Sequence, residues 1–261
     1  MNPEPLDLIP LWCFFPLIAV ISMLAVEGGY RFGKWRVQGN TAEKDSSLDA
    51  MVASILGLLA FMLAFTFSLA AARYDARRQA VFEEANSIGT TYLRARLLPE
   101  PQRSKISELL RQYTESRIQI AAKRRIDELL TQADVTHEQL WSQAMAAVDH
   151  DPRSIMTSLF LQSLNETIDL HGKRVFVGLQ SRIPVTIWIA LFSLTLFGMA
   201  SVGYQAGQTA PRRSPEMPIL ALAFAGVLFL NVDLDRPQEG LLRVSQQPMI
   251  DLLKTMQTTV R

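Results

Sequence analysis

Four stretches of this chain carry no charge, and a lipid bilayer is the environment that explains them best. A hydrocarbon core about 30 Å thick takes roughly 20 apolar residues of helix. Leu8 to Val26, Ala50 to Ala72 and Ile183 to Ala206 match that length, and Met217 to Val232 falls short of it. A soluble protein can bury one or two such helices, but four in one chain read as membrane spans. No acid or base lies inside any of them, which argues against a proton relay or a charge-coupled transporter. The first residues, MNPEPLDLIPLW, hold Glu4 and Asp7 and no Lys or Arg. A cleavable signal wants a basic start, so the first stretch is expected to persist. Pro16, Pro184 and Pro218 sit in or at the start of spans, where neighbouring helices can satisfy the freed carbonyls. Gly198, Gly203, Ala60, Ala64, Ala70 and Ala71 are small enough to let helices approach closely.

Between the second and third stretches the chain is polar, with a helical period. Tyr74, Val81, Ala85, Ile88 and Tyr92 recur at spacings of three, four or seven. No Gly or Pro interrupts Leu58 to Ile88, so the second span is expected to run on as one long helix. Pro99 and Pro101 break it. A further helix starts near Pro101 with the stripe Ile106, Leu109, Leu110 and Tyr113. THEQ at 136–139 has the form of a capping box, predicting a short helix that begins at Thr136 and carries Trp141 and Met145. DHDPR at 149–153 ends it, and a last helix carries Met156, Leu159, Phe160, Leu164, Ile168, His171 and Val175. The expected fold is an all-α membrane protein: four transmembrane helices, with a helical extramembrane bundle inserted between spans 2 and 3. Its parts are the first two spans (1–72), the bundle (73–182), the last two spans (183–232) and a C-terminal segment (233–261). Basic residues in short loops place the bundle outside the cytoplasm, whereas Arg73, Arg77, Arg78, Lys173, Arg174 and Arg182 beside the spans place it inside. The side of the bundle stays undecided.

The chemistry of enzymes finds little purchase. The formal net charge of +1 offers no bulk attraction to nucleic acid. The single cysteine, Cys13, excludes an intrachain disulfide and a zinc-cysteine pattern. None of His137, His150 and His171 lies four residues from another, and there is no phosphate-binding glycine loop or nucleophile elbow. Glu83, Glu84, Glu166, Asp169 and His171 can be drawn together as a metal cluster, but acids and bases alternating along helices more often form a solvated face. The expectation is no enzyme, no metal and no cofactor. Arg77, Arg78, Arg94, Arg96, Lys123, Arg124 and Arg125 either meet anions and lipid headgroups or are solvated and paired along their helices.

Two features bear on conduction. Phe61 and Phe65 lie one turn apart on one face of the second span, which Leu58 and Leu69 extend. Bulky apolar side chains repeated around an oligomer form a constriction that gates by dewetting; the alternative is that they face lipid or a neighbouring helix. In LFLNVDLDRPQEG at 228–240, the apolar run stops at Asp233, and Pro237 with Gly240 turns the chain. That cluster is an exit turn, a cation site or part of a gate.

Several segments carry a resemblance to a family. AARYDARRQAVFEEANSIGTTYLRARLLPEPQR after the second span, then LNETIDLHGKR, RIPVTIWI, GYQAG and DLDRPQEGLLRVSQQPM, resemble the bacterial bestrophin-like membrane proteins, distantly similar to bestrophin anion channels. The resemblance covers about Ala50 to Leu253. It implies a homo-oligomeric ion channel, a pentamer in bestrophins, in the bacterial cytoplasmic membrane, passing small anions through a pore lined by the second span. Phe61, Phe65 and Leu69 would form the neck. Arg73, Arg77 and Arg78 would sit at the pore mouth, and Asp233, Asp235, Arg236 and Pro237 would couple subunits, the aspartates pairing with arginines of a neighbour. There is no Phe between Pro237 and Gly240, and the long acidic run that holds calcium in animal bestrophins is missing, so calcium gating is not implied. The rival reading is a non-conducting membrane scaffold or sensor, whose bundle binds a partner protein through Ile106, Leu109 and Tyr113 or around Trp141.

Overall fold

The computed structural model describes residues 9–38, 46–122, 126–209, 215–236 and 240–258. Lys123, Arg124, Arg125, Arg212, Arg213 and Pro237 lie outside them. Among the described residues every regular element is helical: α1 (Leu11–Gln38), α2 (Ser46–Ala95), α3 (Gln102–Ala122), α4 (Ile126–His150), α5 (Ile155–Val175), a π-helical turn (Phe176–Gln180), α6 (Val185–Thr209), α7 (Glu216–Asp235) and α8 (Gln247–Thr258). Four helical runs are long and apolar enough to cross a membrane: Leu11–Val37, Ser47–Ala95, Ile155–Thr209 and Glu216–Asp235. The fold is an all-α membrane protein. The fourth run, short when read as uncharged residues only, reaches 20 residues because the helix takes in Glu216 at one end and Asp233 and Asp235 at the other.

The chain divides into two compact units, Met1–Arg73 with Arg182–Leu242, and Tyr74–Ser181 with Arg243–Arg261. The first unit packs α1, the first half of α2, α6 and α7. Its central contact is between α1 and α6, and it needs glycine. A Cβ placed on Gly29 would lie 2.0 Å from the backbone oxygen of Ala200, and one on Gly203 would lie 2.0 Å from that of Val26. Gly33 meets the Tyr204 backbone and Gly207 the Tyr30 backbone just as tightly. Two small-xxx-small ridges therefore face each other, so the helices touch backbone to backbone. Inside a bilayer, where apolar side chains gain nothing by leaving lipid, this close van der Waals contact is what holds helices together. Val26, Tyr30, Met199, Met217 and Ala221 form the core beside it. EGGYRFGKW, which has the look of a polar exit from the first span, is helix, with Glu27 and Arg31 paired at 2.7 Å one turn apart.

The second unit packs the rest of α2 with α3, α4, α5 and α8. Its core is Ile88, Tyr92, Leu98, Ile106, Leu110, Tyr113, Leu140, Phe160, Leu164, Met249 and Met256, with their neighbours. The stripe predicted for α2 is buried here at Val81, Ala85, Ile88 and Tyr92. The capping box at Thr136 is not used. α4 runs unbroken from Ile126, and the Thr136 hydroxyl donates back to the Gln132 carbonyl within it. The reason is packing: Ala133, His137, Leu140, Ala144 and Ala147 are buried at spacings of four and three, a face continuous through Thr136. α5 begins at a real cap, Ser154, which accepts from the Thr157 amide.

Candidate functional site

In the first unit, α2 has two unlike faces. Leu59, Leu63, Thr66 and Ala70 are buried against the unit. Ser54, Leu58, Phe61, Phe65, Ser68 and Ala72 make an exposed stripe along the opposite face. Phe61 and Phe65 are 67% and 54% exposed, so this chain alone gives neither ring a partner that covers it. Leu69, at the edge of that stripe, is half-buried. Beside the rings runs a row of small exposed residues, Ala53, Gly57, Ala60 and Ala64, and a Cβ on Gly57 would meet nothing within 4 Å.

The three arginines that follow have three different settings. Arg73 is half-buried, its Nη1 3.9 Å from Asp235 Oδ1. Arg77 is buried and Arg78 is exposed. Of the three, Arg78 is the exposed one on this chain.

The charges at the end of α7 are not a solvated exit. Asp233, Asp235 and Arg236 are all buried. Asp235 Oδ1 accepts from the Ile183 amide at 3.0 Å, and Oδ2 accepts from Arg182 Nε at 3.0 Å. One carboxylate thereby fixes the turn that leads into α6 and neutralises part of the charge of Arg182 and Arg73. The pairing expected between subunits, aspartate with an arginine following the second span, is made within the chain. Asp233 takes the amides of Leu241 (2.8 Å) and Leu242 (3.2 Å). Gly240 is needed there, since a Cβ on it would fall 2.6 Å from Asp233 Oδ1. Arg236 reaches the start of α1, donating to the Ile9 carbonyl at 2.7 Å with its guanidinium 5.5 Å from the Phe14 ring centre. The three residues tie the end of α7 to α1, to the entry of α6 and to the chain that follows.

The second unit holds a polar cluster that sequence reasoning saw only in part. Glu84 is fully buried. Its carboxylate meets Arg117 Nε at 3.1 Å, the Arg174 guanidinium, and the Tyr113 hydroxyl, which donates at 2.8 Å. Tyr113 also meets His171 Nδ1 at 2.9 Å. Further along the α2–α5 interface, Ser87, Thr91, Ser163 and Thr167 are buried and joined by hydroxyl bonds of 2.9 to 3.0 Å. Every member lies three or four residues from the next on its helix, a polar stripe legible by the same periodicity that reveals an apolar one. Burial, with Glu84 second, holds the Tyr113 phenol well above its ordinary range, so it stays a donor. The metal cluster drawn from sequence does not assemble: Glu166 and Asp169 are exposed, and Glu83 pairs with Lys173 at 2.7 Å. The partner-binding stripe of the scaffold reading is also used internally, with Ile106 and Tyr113 in the core and Leu109 packed against it.

These arrangements define an all-helical, multi-pass membrane protein. The sequence matches the bestrophin-like domain over residues 19–249, and the chain belongs to the bestrophin-like family. In fold it is similar to a crystal structure of a membrane protein carrying a proline-to-alanine substitution, with a TM-score of 0.65 at 13% identity over 93% of this chain and 95% of that one. A second such structure, again with a proline replaced, gives 0.63 at 14% identity over 96% and 97%. A third, with a glycine replaced, gives 0.63 at 13% over the same shares. No curated protein matches the sequence.

Proposed function

We propose that this chain assembles with copies of itself into a channel for small anions in a bacterial cytoplasmic membrane, with α2 lining the pore. The observation that carries the proposal is the exposed stripe Ser54, Leu58, Phe61, Phe65, Ser68 and Ala72 on the face of α2 away from its own unit. On that face two serines, Ser54 and Ser68, flank the rings Phe61 and Phe65. In a ring of subunits, hydroxyls next to aromatic rings supply wet steps and a dry constriction, the requirement for a hydrophobic gate. The small row Ala53, Gly57, Ala60 and Ala64 beside the rings suits close approach of a neighbouring helix. Family membership supports the same reading.

Phe61 and Phe65 form the neck, with Leu69 at its edge. Arg78 is the mouth residue whose charge is available to bias the field toward anions. Arg73 and Arg77 act from within the fold. Asp233, Asp235 and Arg236 couple subunits indirectly, by holding the ends of α1, α6 and α7 in register.

Purified protein in planar bilayers tests this. Single-channel currents are expected, with a reversal potential that follows the chloride gradient. Phe65→Ala widens the neck and raises conductance or open probability. Silent bilayers containing an assembled oligomer would remove the reading.

A further inference from the structure

We propose that Asp134, His137 and His171 form a binding site for a zinc-class transition-metal dication, one that links α4 to α5. The inference concerns the second unit alone and stands whether or not the chain conducts. One ligand atom from each residue lies within 4.8 Å of the others. Asp134 and His137 are three apart on α4 and so share a face, while His171 comes from α5. The imidazoles meet edge to face with ring centres 4.8 Å apart. Ligand atoms around a tetrahedral zinc sit about 3.3 Å from one another, from bonds of about 2.0–2.1 Å. Side-chain rotation has to close a difference of up to about 1.5 Å.

A second observation points to a ligand. His137 is 8% exposed, and its Nε2 is buried with no hydrogen-bond partner. A buried polar nitrogen left unsatisfied costs about 1–3 kcal/mol, and a bound ion is one of the accepted explanations for one. A ring buried only for packing would be served better by an apolar side chain.

The surroundings fit a metal ligand in detail. The Tyr113 hydroxyl has one proton, and it goes to Glu84. Its oxygen therefore accepts from His171 Nδ1, which places the His171 proton on Nδ1 and leaves a lone pair on Nε2. This is the outer-shell pattern of metal-binding histidines, where the far nitrogen donates into a chain ending on a carboxylate. His137 is neutral at pH 7, its pKa pushed down to about 4 first by burial and then by His171, so no proton competes for it. Asp134 supplies the one negative charge of the ligand set. Asp134 is exposed, which gives the ion a path from solvent and leaves room for a water as fourth ligand. Two imidazoles and a carboxylate favour zinc and its neighbours over calcium or magnesium, which take oxygen ligands.

The test uses the full chain, purified in detergent and stripped with a chelator. Zinc titration should give one tight site per chain, with calcium and magnesium failing to compete. Cobalt(II) in its place should give the intense visible bands of a tetrahedral ion. Asp134→Asn, a change at an exposed position that leaves the core intact, should weaken binding by about tenfold or more. His137→Gln should do the same, and Tyr113→Phe should weaken it without removing a ligand. His150→Gln, at an exposed histidine, should leave it unchanged. The absence of a tight site overturns the proposal, and so does zinc affinity that Asp134→Asn and His137→Gln leave alone.

Discussion

α1 and α6 meet where neither helix has a side chain, whereas α2, α3 and α5 meet around a buried carboxylate. The two contacts solve different problems. In the membrane unit, a side chain gains nothing from leaving lipid, so contact is won by removing side chains until backbones touch at Gly29 and Gly203. In the bundle unit, apolar burial already drives packing at Ile88, Ile106, Leu110 and Phe160, and the polar groups at its heart add direction instead. Glu84 has one arrangement that satisfies Tyr113, Arg117 and Arg174 together, and that arrangement fixes the rotation of three helices. The membrane contact tolerates no added atom, and the bundle contact tolerates no lost charge.

Substitutions can break each half of this contrast. The largest effect belongs to Glu84→Ala, which leaves the buried Arg117 and the partly buried Arg174 without their counter-charge and should cost about 3–5 kcal/mol. Limited proteolysis of the bundle would report it; wild-type resistance in this variant would mean the arginines have other sufficient partners. Gly203→Val follows. Its new atoms run into the Val26 carbonyl, backbone that has no rotamer to yield, so the cost reaches the upper end of overpacking, about 3 kcal/mol. The control is Gly57→Val, whose Cβ meets nothing on this chain and should leave the monomer fold unchanged. Size-exclusion profiles in detergent distinguish them, and equal behaviour of the two would refute the backbone contact.

A smaller effect is set by pH. His137 takes up a proton near its ordinary pKa of 6.5 in the unfolded chain but only near 4 when buried. The unfolded state therefore binds more protons in that window, and the metal-free bundle loses stability as pH falls from about 6.5 toward 4. Thermal melts of wild type and His137→Gln across that range should converge at the acid end. Parallel curves would show that His137 does not titrate as its burial requires. Smallest of all is the effect of Phe65→Ala on folding: its ring is more than half exposed, so stability in detergent should stay within about 0.5 kcal/mol while conduction changes.

What could be read from sequence follows from what is local. The length of α2 was legible because nothing between Leu58 and Ile88 interrupts it, and the chain obeys that down to Ala95. Thr136 misled because a capping box is a local signal and the buried face of α4 is a longer one. Gly29 and Gly33 were hidden for another reason. Charges at Glu27, Arg31 and Lys34 make their segment look like a loop, and only the facing helix shows why those positions lack side chains. Asp233 and Asp235 were visible as the end of an apolar run, but not the partners of Asp235, since Ile183, Arg182 and Arg73 are distant in the chain. Asp134, His137 and His171 form no recognisable motif because the third ligand, His171, sits on a different helix from the first two. Periodicity identified Phe61 and Phe65 as one face of a helix. Which face it is was decided by burial of Leu59, Leu63, Thr66 and Ala70 opposite them.

The central claim is that the exposed face of α2 faces a pore shared between copies of this chain. Particle images of the purified oligomer test it most directly. They should show a ring of subunits with α2 nearest the symmetry axis and the side chains of Phe61 and Phe65 directed at it. A monomer, or an axis lined by α1, α6 or α7 with Phe65 turned to lipid, would contradict the account.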